Sequence, residues 1–177
     1  GSSAGISFDG STIFRASTTL YNISIGVDAG SADLGGGNII FGNDAGNSVT
    51  AGNVNNTFIG SSAAHRVEGS GSVVIGQGAG FGLGGVYSAN GNVIVGKSAG
   101  ENLSTGGSNN ILIGYNAADS LTTGANNLII GHDVEAPSNT ASNQLNIGNL
   151  IFGTGIDGTG TTLSSGNIGI GSSSPSA

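Results

Sequence analysis

The stretch that decides the fold is residues 109–131, which read Asn-Asn-Ile-Leu-Ile-Gly-Tyr-Asn-Ala-Ala-Asp-Ser-Leu-Thr-Thr-Gly-Ala-Asn-Asn-Leu-Ile-Ile-Gly. It contains the unit Asn-apolar-apolar-apolar-Gly twice, closing first at Gly114 and then at Gly131. Three apolar residues bounded by Asn and Gly are typical of a short strand with turn residues at both ends. Apolar residues do not recur at i, i+3, i+4 and i+7 through ten residues anywhere in the chain, which disfavours helices.

The same unit recurs nine times along the chain. From Gly26 to Gly148 the successive closing glycines are 16 to 20 residues apart, and the last interval, to Gly171, is 23. This period fits one coil of a β-solenoid, whose strands stack about 4.8 Å apart. We therefore predict an all-β, elongated, repetitive β-solenoid of the β-helix or β-roll kind, with nine stacked coils. The units are 22–26, 38–42, 56–60, 72–76, 92–96, 110–114, 127–131, 144–148 and 167–171.

The repeat divides the chain into three predicted segments. Residues 1–21 form an N-terminal lead-in, residues 22–136 the repeat solenoid, and residues 137–177 a C-terminal transition or stem. The period breaks between Glu135 and Asn143, a stretch that contains Pro137. The sequence leaves open whether each chain winds its own coil or three chains interweave.

Alternation within each strand predicts which side chains face inward. Successive side chains point to opposite faces, so the first and third apolar positions share one face. We expect these two positions to form the core of each coil and the middle position to face outward. The middle position is apolar in six central units, and such a stripe is expected to be buried between chains. The predicted interface residues are Ile40, Phe58, Val74, Ile94, Leu112 and Ile129.

The recurring glycine and asparagine have distinct expected roles. Glycine marks a corner that needs a positive φ or a close approach of two backbones. Asparagine is expected either to take a similar corner or to form a ladder of side-chain amides along the rod.

Composition excludes several classes of function. The net charge is −7 with 3 basic residues, so nucleic acid and anionic membranes are disfavoured partners. The chain has no Cys, which excludes disulfides and thiolate chemistry. Its apolar runs reach only three residues, whereas a membrane-spanning helix needs roughly 20, so we expect a soluble chain without membrane insertion. No cofactor is predicted.

Residues 109–118 and 120–131 resemble the repeat of bacteriophage tail-fibre and tailspike shafts. Residues 144–148, 150–153 and 166–175 are similar to the sequence that precedes the endosialidase-type intramolecular chaperone of such fibres. The resemblance implies a homotrimeric, extracellular fibre on the virion tail, whose C-terminal chaperone assembles the trimer and is released by self-cleavage. The chain is also similar to the head repeats of trimeric autotransporter adhesins, although their repeat is shorter.

Recognition is expected to use positions that the repeat does not constrain. The residue after each closing glycine varies, and Tyr115 and His132 occupy this position. The longest coil of the regular array carries the insertion 81–90, with Phe81 and Tyr87, which is predicted to be an irregular loop. Loops on a rigid scaffold are common binding sites, but an insertion can equally be a tolerated bulge. The expected ligand is a host cell-surface glycan or protein.

Acidic residues offer two further hypotheses. Asp28, Asp44 and Asp133 lie two residues after closing glycines, where stacked carboxylates would hold Ca²⁺. Ser and Asn occupy the same position in other coils, which favours turn capping, so no metal site is predicted and these three residues are calcium candidates only. Glycoside hydrolysis would need paired carboxylates beside aromatic platforms, and a chain with no Trp and 3 Tyr has few platforms.

Together these observations predict a structural or adhesive fibre protein without enzymatic activity, the shaft or receptor-binding segment of a phage tail fibre. Its expected partners are further copies of itself and the host surface. The alternatives are the head of a bacterial trimeric surface adhesin and a polysaccharide-degrading tailspike.

Overall fold

The computed structural model describes residues 4–8, 11–17, 21–31, 35–47, 52–83 and 87–175. In these residues the chain is all-β, and no helix is present that could cross a membrane. The described strands are β1 (Ala4–Phe8), β2 (Ser11–Ser17), β3 (Asn22–Ile25), β4 (Ile39–Phe41), β5 (Thr57–Ile59), β6 (Val67–Glu68), β7 (Val73–Ile75), β8 (Tyr87–Ser88), β9 (Val93–Val95), β10 (Ile111–Ile113), β11 (Leu128–Ile130), β12 (Leu145–Ile147), β13 (Ile151–Gly153) and β14 (Ile168–Ile170).

Eight strands form the stack that the repeat predicts. The order β3, β4, β5, β7, β9, β10, β11, β12 is parallel throughout, and equivalent repeat positions lie side by side. Leu112, for example, is flanked by Ile94 and Ile129. The β-solenoid of about 7 turns is therefore confirmed, and each turn is wound by a single chain.

Antiparallel strands continue the sheet at both ends of the stack. β1 and β2 form a hairpin, and β2 pairs antiparallel with β3. At the other end Gly148, Asn149 and Leu150 connect β12 to β13. Gly148 and Asn149 have φ of 60° and 55°, and the Leu150 N–H donates to the Ile147 carbonyl at 3.1 Å, which closes the hairpin turn. β14 then pairs antiparallel with β13. The prediction of nine stacked coils is wrong at unit 167–171, because this hairpin reverses the chain before that unit begins.

The insertion in the fourth coil contains regular structure. β6 and β8 pair in parallel as a second, two-stranded sheet, with Val67 beside Tyr87. The predicted irregular loop 81–90 is thus partly a strand, although its residues 84–86 lie outside the described residues. This second sheet joins two neighbouring coils on a side away from the long sheet.

The core of the solenoid consists of the middle residue of each strand. Within the single chain Ile40, Phe58, Leu112 and Ile129 are fully buried, and Val74 and Ile94 are nearly so. The prediction that these six residues form an interface between chains is therefore wrong. The first and third positions, expected to form the core, face outward instead.

The narrowness of each coil explains this inversion. The turn after each strand returns small residues to the interior, such as the fully buried Ala117 and Ala118. Leu121 is fully buried farther along the same coil. An interior filled in this way takes one large side chain from each strand, and the middle position supplies it.

The asparagine that precedes each strand faces inward together with the middle residue. Asn110 Oδ1 accepts a hydrogen bond from the backbone N–H of Asn127 at 2.9 Å, and Asn110 Nδ2 donates to the carbonyl of Gly124 at 3.0 Å. The same position is occupied in the stack by Asn22, Asn38, Asn56, Ser72, Asn92, Asn110, Asn127 and Gln144, and side-chain oxygens bond the next coil along this series. The predicted amide ladder is confirmed.

The residue before this ladder takes the predicted left-handed corner. Asn55, Asn109, Asn126 and Asn143 have φ between 57° and 61°. Both roles expected for asparagine therefore occur, on neighbouring residues.

The closing glycine is required by close contact between coils. Gly60 has φ of +131°, and a Cβ atom there would lie 2.6 Å from the carbonyl oxygen of Gly76 in the next coil. A side chain at this position would collide with backbone, which cannot move without opening the stack.

Candidate functional site

The outward face of the long sheet is the main candidate interaction surface. We call it the outer apolar face, and it consists of two columns of side chains. The third strand position contributes Phe14, Ile25, Phe41, Ile59, Ile75, Val95, Ile113, Ile130, Ile147, Ile151 and Ile170, which are neighbours in register from β2 to β14. The first position contributes Ile23, Ile39, Thr57, Val73, Val93, Ile111, Leu128, Leu145, Gly153 and Ile168.

Eight of these residues are exposed and, apart from the buried Gly153, the others are half-buried. Ile23, Ile39 and Ile111 are each 41% exposed, and at the end of the sheet Ile168 and Ile170 are 69% and 77% exposed. Neither column contains an ionisable residue. Every listed residue has an aliphatic or aromatic side chain except Thr57 and Gly153 in the first-position column. The face therefore offers no acid-base chemistry, and burial of apolar surface is the interaction that it supports.

Two of the four predicted recognition residues meet on adjacent coils. The rings of Tyr115 and His132 stack with centroids 5.1 Å apart, and Lys97 Nζ lies 6.0 Å from the Tyr115 centroid. His132 Nδ1 lies 3.1 Å from Asp133 Oδ2, and Asn116 Nδ2 donates to Asp133 Oδ1 at 2.9 Å. This exposed cluster combines a cation, aromatic rings, an amide and a carboxylate on rigid coils, and we call it the Tyr115 cluster.

Phe81 lies at a different corner of the coil. It stacks on His65 with centroids 4.9 Å apart, and the Arg66 guanidinium lies 5.4 Å from the Phe81 centroid. Burial and then the charge of Arg66 lower the pKa of His65, while Asp44 opposes them weakly. His65 Nδ1 is buried without a protein hydrogen-bond partner among the described residues.

Tyr87, the fourth predicted recognition residue, begins β8. Its side chain lies outside the described residues, so its membership of a site stays a prediction. The structure thus brings Tyr115 and His132 together and places Phe81 apart from them.

The three calcium candidates do not converge on one place. Asp28, Asp44 and Asp133 all adopt a positive φ, between 49° and 55°, at the turn after a strand. Asp44 Oδ1 accepts from Asn47 Nδ2 at 2.8 Å, and Asp133 accepts from Asn116. Asp133 is separated from the other two by several coils. In the part of the chain that the structure describes, no group of three or more His, Asp or Glu residues is arranged to hold a metal ion.

One pair of acidic residues was not singled out by the sequence. The backbone bond from Ala118 N–H to the Val134 carbonyl aligns two coils so that Asp119 and Glu135 are neighbours. Burial, followed by the hydrogen bond to Asp119 and the charge of Asp119, raises the pKa of Glu135 to about 7. Glu135 Oε2 also accepts from the Ser120 backbone N–H at 3.3 Å. The signal is hidden because Asp119 is the fifth residue after its closing glycine and Glu135 the fourth after its own, so the two acidic residues occupy different positions of the repeat.

Comparison with known proteins does not assign a family: no protein-family model, curated protein or solved structure matches the chain. The arrangement of the residues themselves therefore has to carry any inference about function.

Proposed function

We propose that the chain is a structural and adhesive fibre segment, the shaft or receptor-binding part of a bacteriophage tail fibre. In this proposal it is a homotrimer without enzymatic activity, located on the virion tail outside the cell. Its other partner is a glycan or protein of the host surface.

The observation that carries the proposal is the single sheet that runs through the whole solenoid. It contains twelve of the described strands, all except β6 and β8. Eleven of them, from β2 to β14, are in register, and the outer face is apolar over these eleven. A rod held together by hydrogen bonds along its axis resists bending and pulling, which suits a shaft. An uncovered apolar face of this length suits an assembly of several chains better than a solitary rod.

The direct test is the mass and shape of the protein in solution. We expect sedimentation equilibrium to give three times the chain mass of 16.9 kDa, and electron microscopy to show rods. A stable, folded monomer at micromolar concentration would contradict the homotrimer.

For adhesion we propose the Tyr115 cluster as the contact with the host surface. Tyr115→Ala is expected to reduce attachment of the labelled protein to bacterial cells or to a glycan array at least about tenfold, since exposed aromatic residues dominate many interfaces. Tyr21→Ala is the matched control, because Tyr21 is an exposed tyrosine outside the cluster. Equal loss with both variants would contradict this assignment.

A polysaccharide-degrading tailspike is the second candidate, and the raised pKa of Glu135 is the observation that favours it. A carboxyl group with a pKa of about 7 keeps the proton that a general acid needs in glycoside hydrolysis. Asp119 hydrogen-bonds to Glu135 and is therefore closer than the roughly 5–9.5 Å that separates the two catalytic carboxyl groups of glycosidases, so the second carboxylate would have to be a different one. Release of reducing ends from bacterial capsule by the protein, lost in Glu135→Gln, would support this candidate over a purely adhesive fibre. A bacterial adhesin head would instead carry a membrane anchor in the parent gene.

A further inference from the structure

We propose that the outer apolar face is the surface through which copies of this chain bind each other. This inference rests on the proposed function, because it names the contact surface of the homo-oligomer. The interface then consists of the first and third strand residues. The middle strand residues, which the sequence had suggested for the interface, are buried inside one chain.

The face is continuous along the rod. Its third-position column is apolar in every strand from Phe14 in β2 to Ile170 in β14. The column passes through the antiparallel strands at both ends without a polar residue, although strand direction changes there. The apolar character of this column is therefore not a by-product of one turn type, since it persists in the end strands, where the turns differ.

The size of the face is adequate for self-association. Eleven strands at about 4.8 Å and three residues at about 3.3 Å give a strip of roughly 48 by 10 Å, or about 480 Å² for each copy before side-chain relief is counted. Two such strips together approach the roughly 1,000 Å² expected of a specific interface. The strip also has the area of the largest apolar patch usual on a monomer, about 300–600 Å², and here it lacks any charged residue.

Periodicity argues for a copy of the same chain as the occupant. A partner that covers the face must present apolar groups repeated at the strand spacing over the whole length of the rod. A second copy has such a surface, and sheets packed face to face interdigitate their side chains about 10 Å apart. Acidic residues such as Glu101, Asp119 and Asp133 lie in the turns and not in either column, so the net charge of −7 does not enter the contact.

The two columns also provide for two neighbours. In a closed ring of three copies, each chain presents its first-position column to one neighbour and its third-position column to the other, so the area of its strip is divided between two contacts. The contact is then heterologous and closes on itself, with the apolar side chains around the axis and the turns outside.

The test compares two double variants that add the same charge to the same two coils. Val95→Asp with Ile113→Asp alters the outer apolar face, and Thr105→Asp with Thr123→Asp alters exposed residues elsewhere in those coils. Sedimentation equilibrium is expected to show the first variant as a 16.9 kDa monomer, with assembly weakened at least about 100-fold, and the second with the wild-type mass. Circular dichroism should show the same strand content in all three proteins.

A second measurement does not depend on the aspartate variants folding. The chain has no Cys, so Ile111→Cys with Ile113→Cys introduces the only thiols. Mild oxidation is expected to join copies covalently on a non-reducing gel, whereas Thr105→Cys with Thr123→Cys should leave single chains. Single chains from both cysteine variants would overturn the proposal, as would a wild-type mass for the Val95→Asp, Ile113→Asp protein.

The outcomes separate this inference from the proposed function. A dimer that the face variant dissociates would keep the face and overturn the homotrimer. Assembly through the face, without attachment to any bacterial cell or glycan, would keep the face and overturn the adhesive fibre. If the protein attaches to cells and the face variant still assembles, the adhesive fibre is kept and the outer apolar face is overturned as the contact surface.

Discussion

Asn110 shows how a polar residue can hold the interior of a thin solenoid together. Its side chain satisfies the N–H of Asn127 and the carbonyl of Gly124, and its own N–H bonds to Asn92 Oδ1 at 2.8 Å. The side chains of Asn92, Asn110 and Asn127 are almost completely buried. A buried polar group without a hydrogen-bond partner destabilises the fold, because it has lost its bonds to water. The ladder therefore fixes both the spacing and the register of successive coils.

Removal of one rung of this ladder should destabilise the fold strongly. Asn110→Ala leaves a buried N–H and a buried carbonyl without partners, which is expected to lower the free energy of unfolding by about 2–4 kcal/mol. Urea denaturation followed by circular dichroism measures this change. Asn109→Gly is the control, because it retains the left-handed corner (φ 57°) and should change stability by less than about 1 kcal/mol. An equal loss of unfolding free energy from the two substitutions would contradict the stabilising role of the amide ladder.

The closing glycines should be equally intolerant of change. Gly60→Ala places a methyl group against the carbonyl of Gly76, and we expect a loss of at least about 2 kcal/mol from strain and displacement of the coil. Gly71→Ala is the comparison, since Gly71 also has a positive φ (+69°) but has open space around its Cβ position, so its loss should be about 1 kcal/mol. Thermal unfolding of the two variants should rank them in this order.

The Asp119–Glu135 pair predicts a distinct pH dependence. The folded-state pKa of Glu135, about 7, is above its usual value of 4.5, so the folded protein favours the protonated carboxyl. Its contribution to stability is greatest below pH 4.5 and is lost as the pH rises through 7. The pKa of His65 is lowered, so its contribution to stability increases with pH below about pH 6.5, opposite to that of Glu135. The pH dependence of wild-type stability therefore cannot be assigned to Glu135 alone.

Glu135→Gln isolates this effect. The difference in melting temperature between the variant and the wild type is expected to grow in favour of the variant between pH 5 and pH 8. A difference that stays constant over this range would show that Glu135 titrates at its ordinary pKa in the folded protein.

At the scale of the strand, sequence reasoning identified the elements and their register but reversed their faces. Every Asn-apolar-apolar-apolar-Gly unit of the regular array became a short parallel strand, because turn residues at both ends leave no other structure open to it. The face was misassigned because all three strand positions are apolar, so hydrophobicity alone cannot set the phase. The ladder residue sets it: once Asn110 points inward, alternation places Leu112 inward and Ile111 and Ile113 outward.

The two faces of a strand should respond differently to truncation. Leu112→Ala removes a fully buried side chain and is expected to cost about 2–5 kcal/mol, whatever the state of assembly. Ile113→Ala removes a side chain that is 36% exposed, so it should lower the stability of the isolated chain less and weaken assembly more. Denaturation at several protein concentrations distinguishes them, because only the loss from Ile113→Ala should depend on concentration.

At the scale of the whole molecule, the ends of the rod were the least predictable part. The turn at Gly148 and Asn149 converts the last repeat into an antiparallel strand, although the residues of unit 167–171 still match the pattern. The candidate site was predictable to a similar degree. The sequence predicted an outward-facing apolar stripe but assigned it to the middle strand position, which is the core. The first and third positions could be assigned to the outside only once the interior was known.

The uniform stacking of the coils has a consequence for how such a shaft can change its length. Each coil touches the next through the same amide, glycine and core positions, so duplication of one complete period would add about 4.8 Å and leave both ends untouched. Gains of a fraction of a period would instead shift every following side chain to the wrong face. The number of complete repeats in the gene can therefore set the length of the shaft, in steps of one coil.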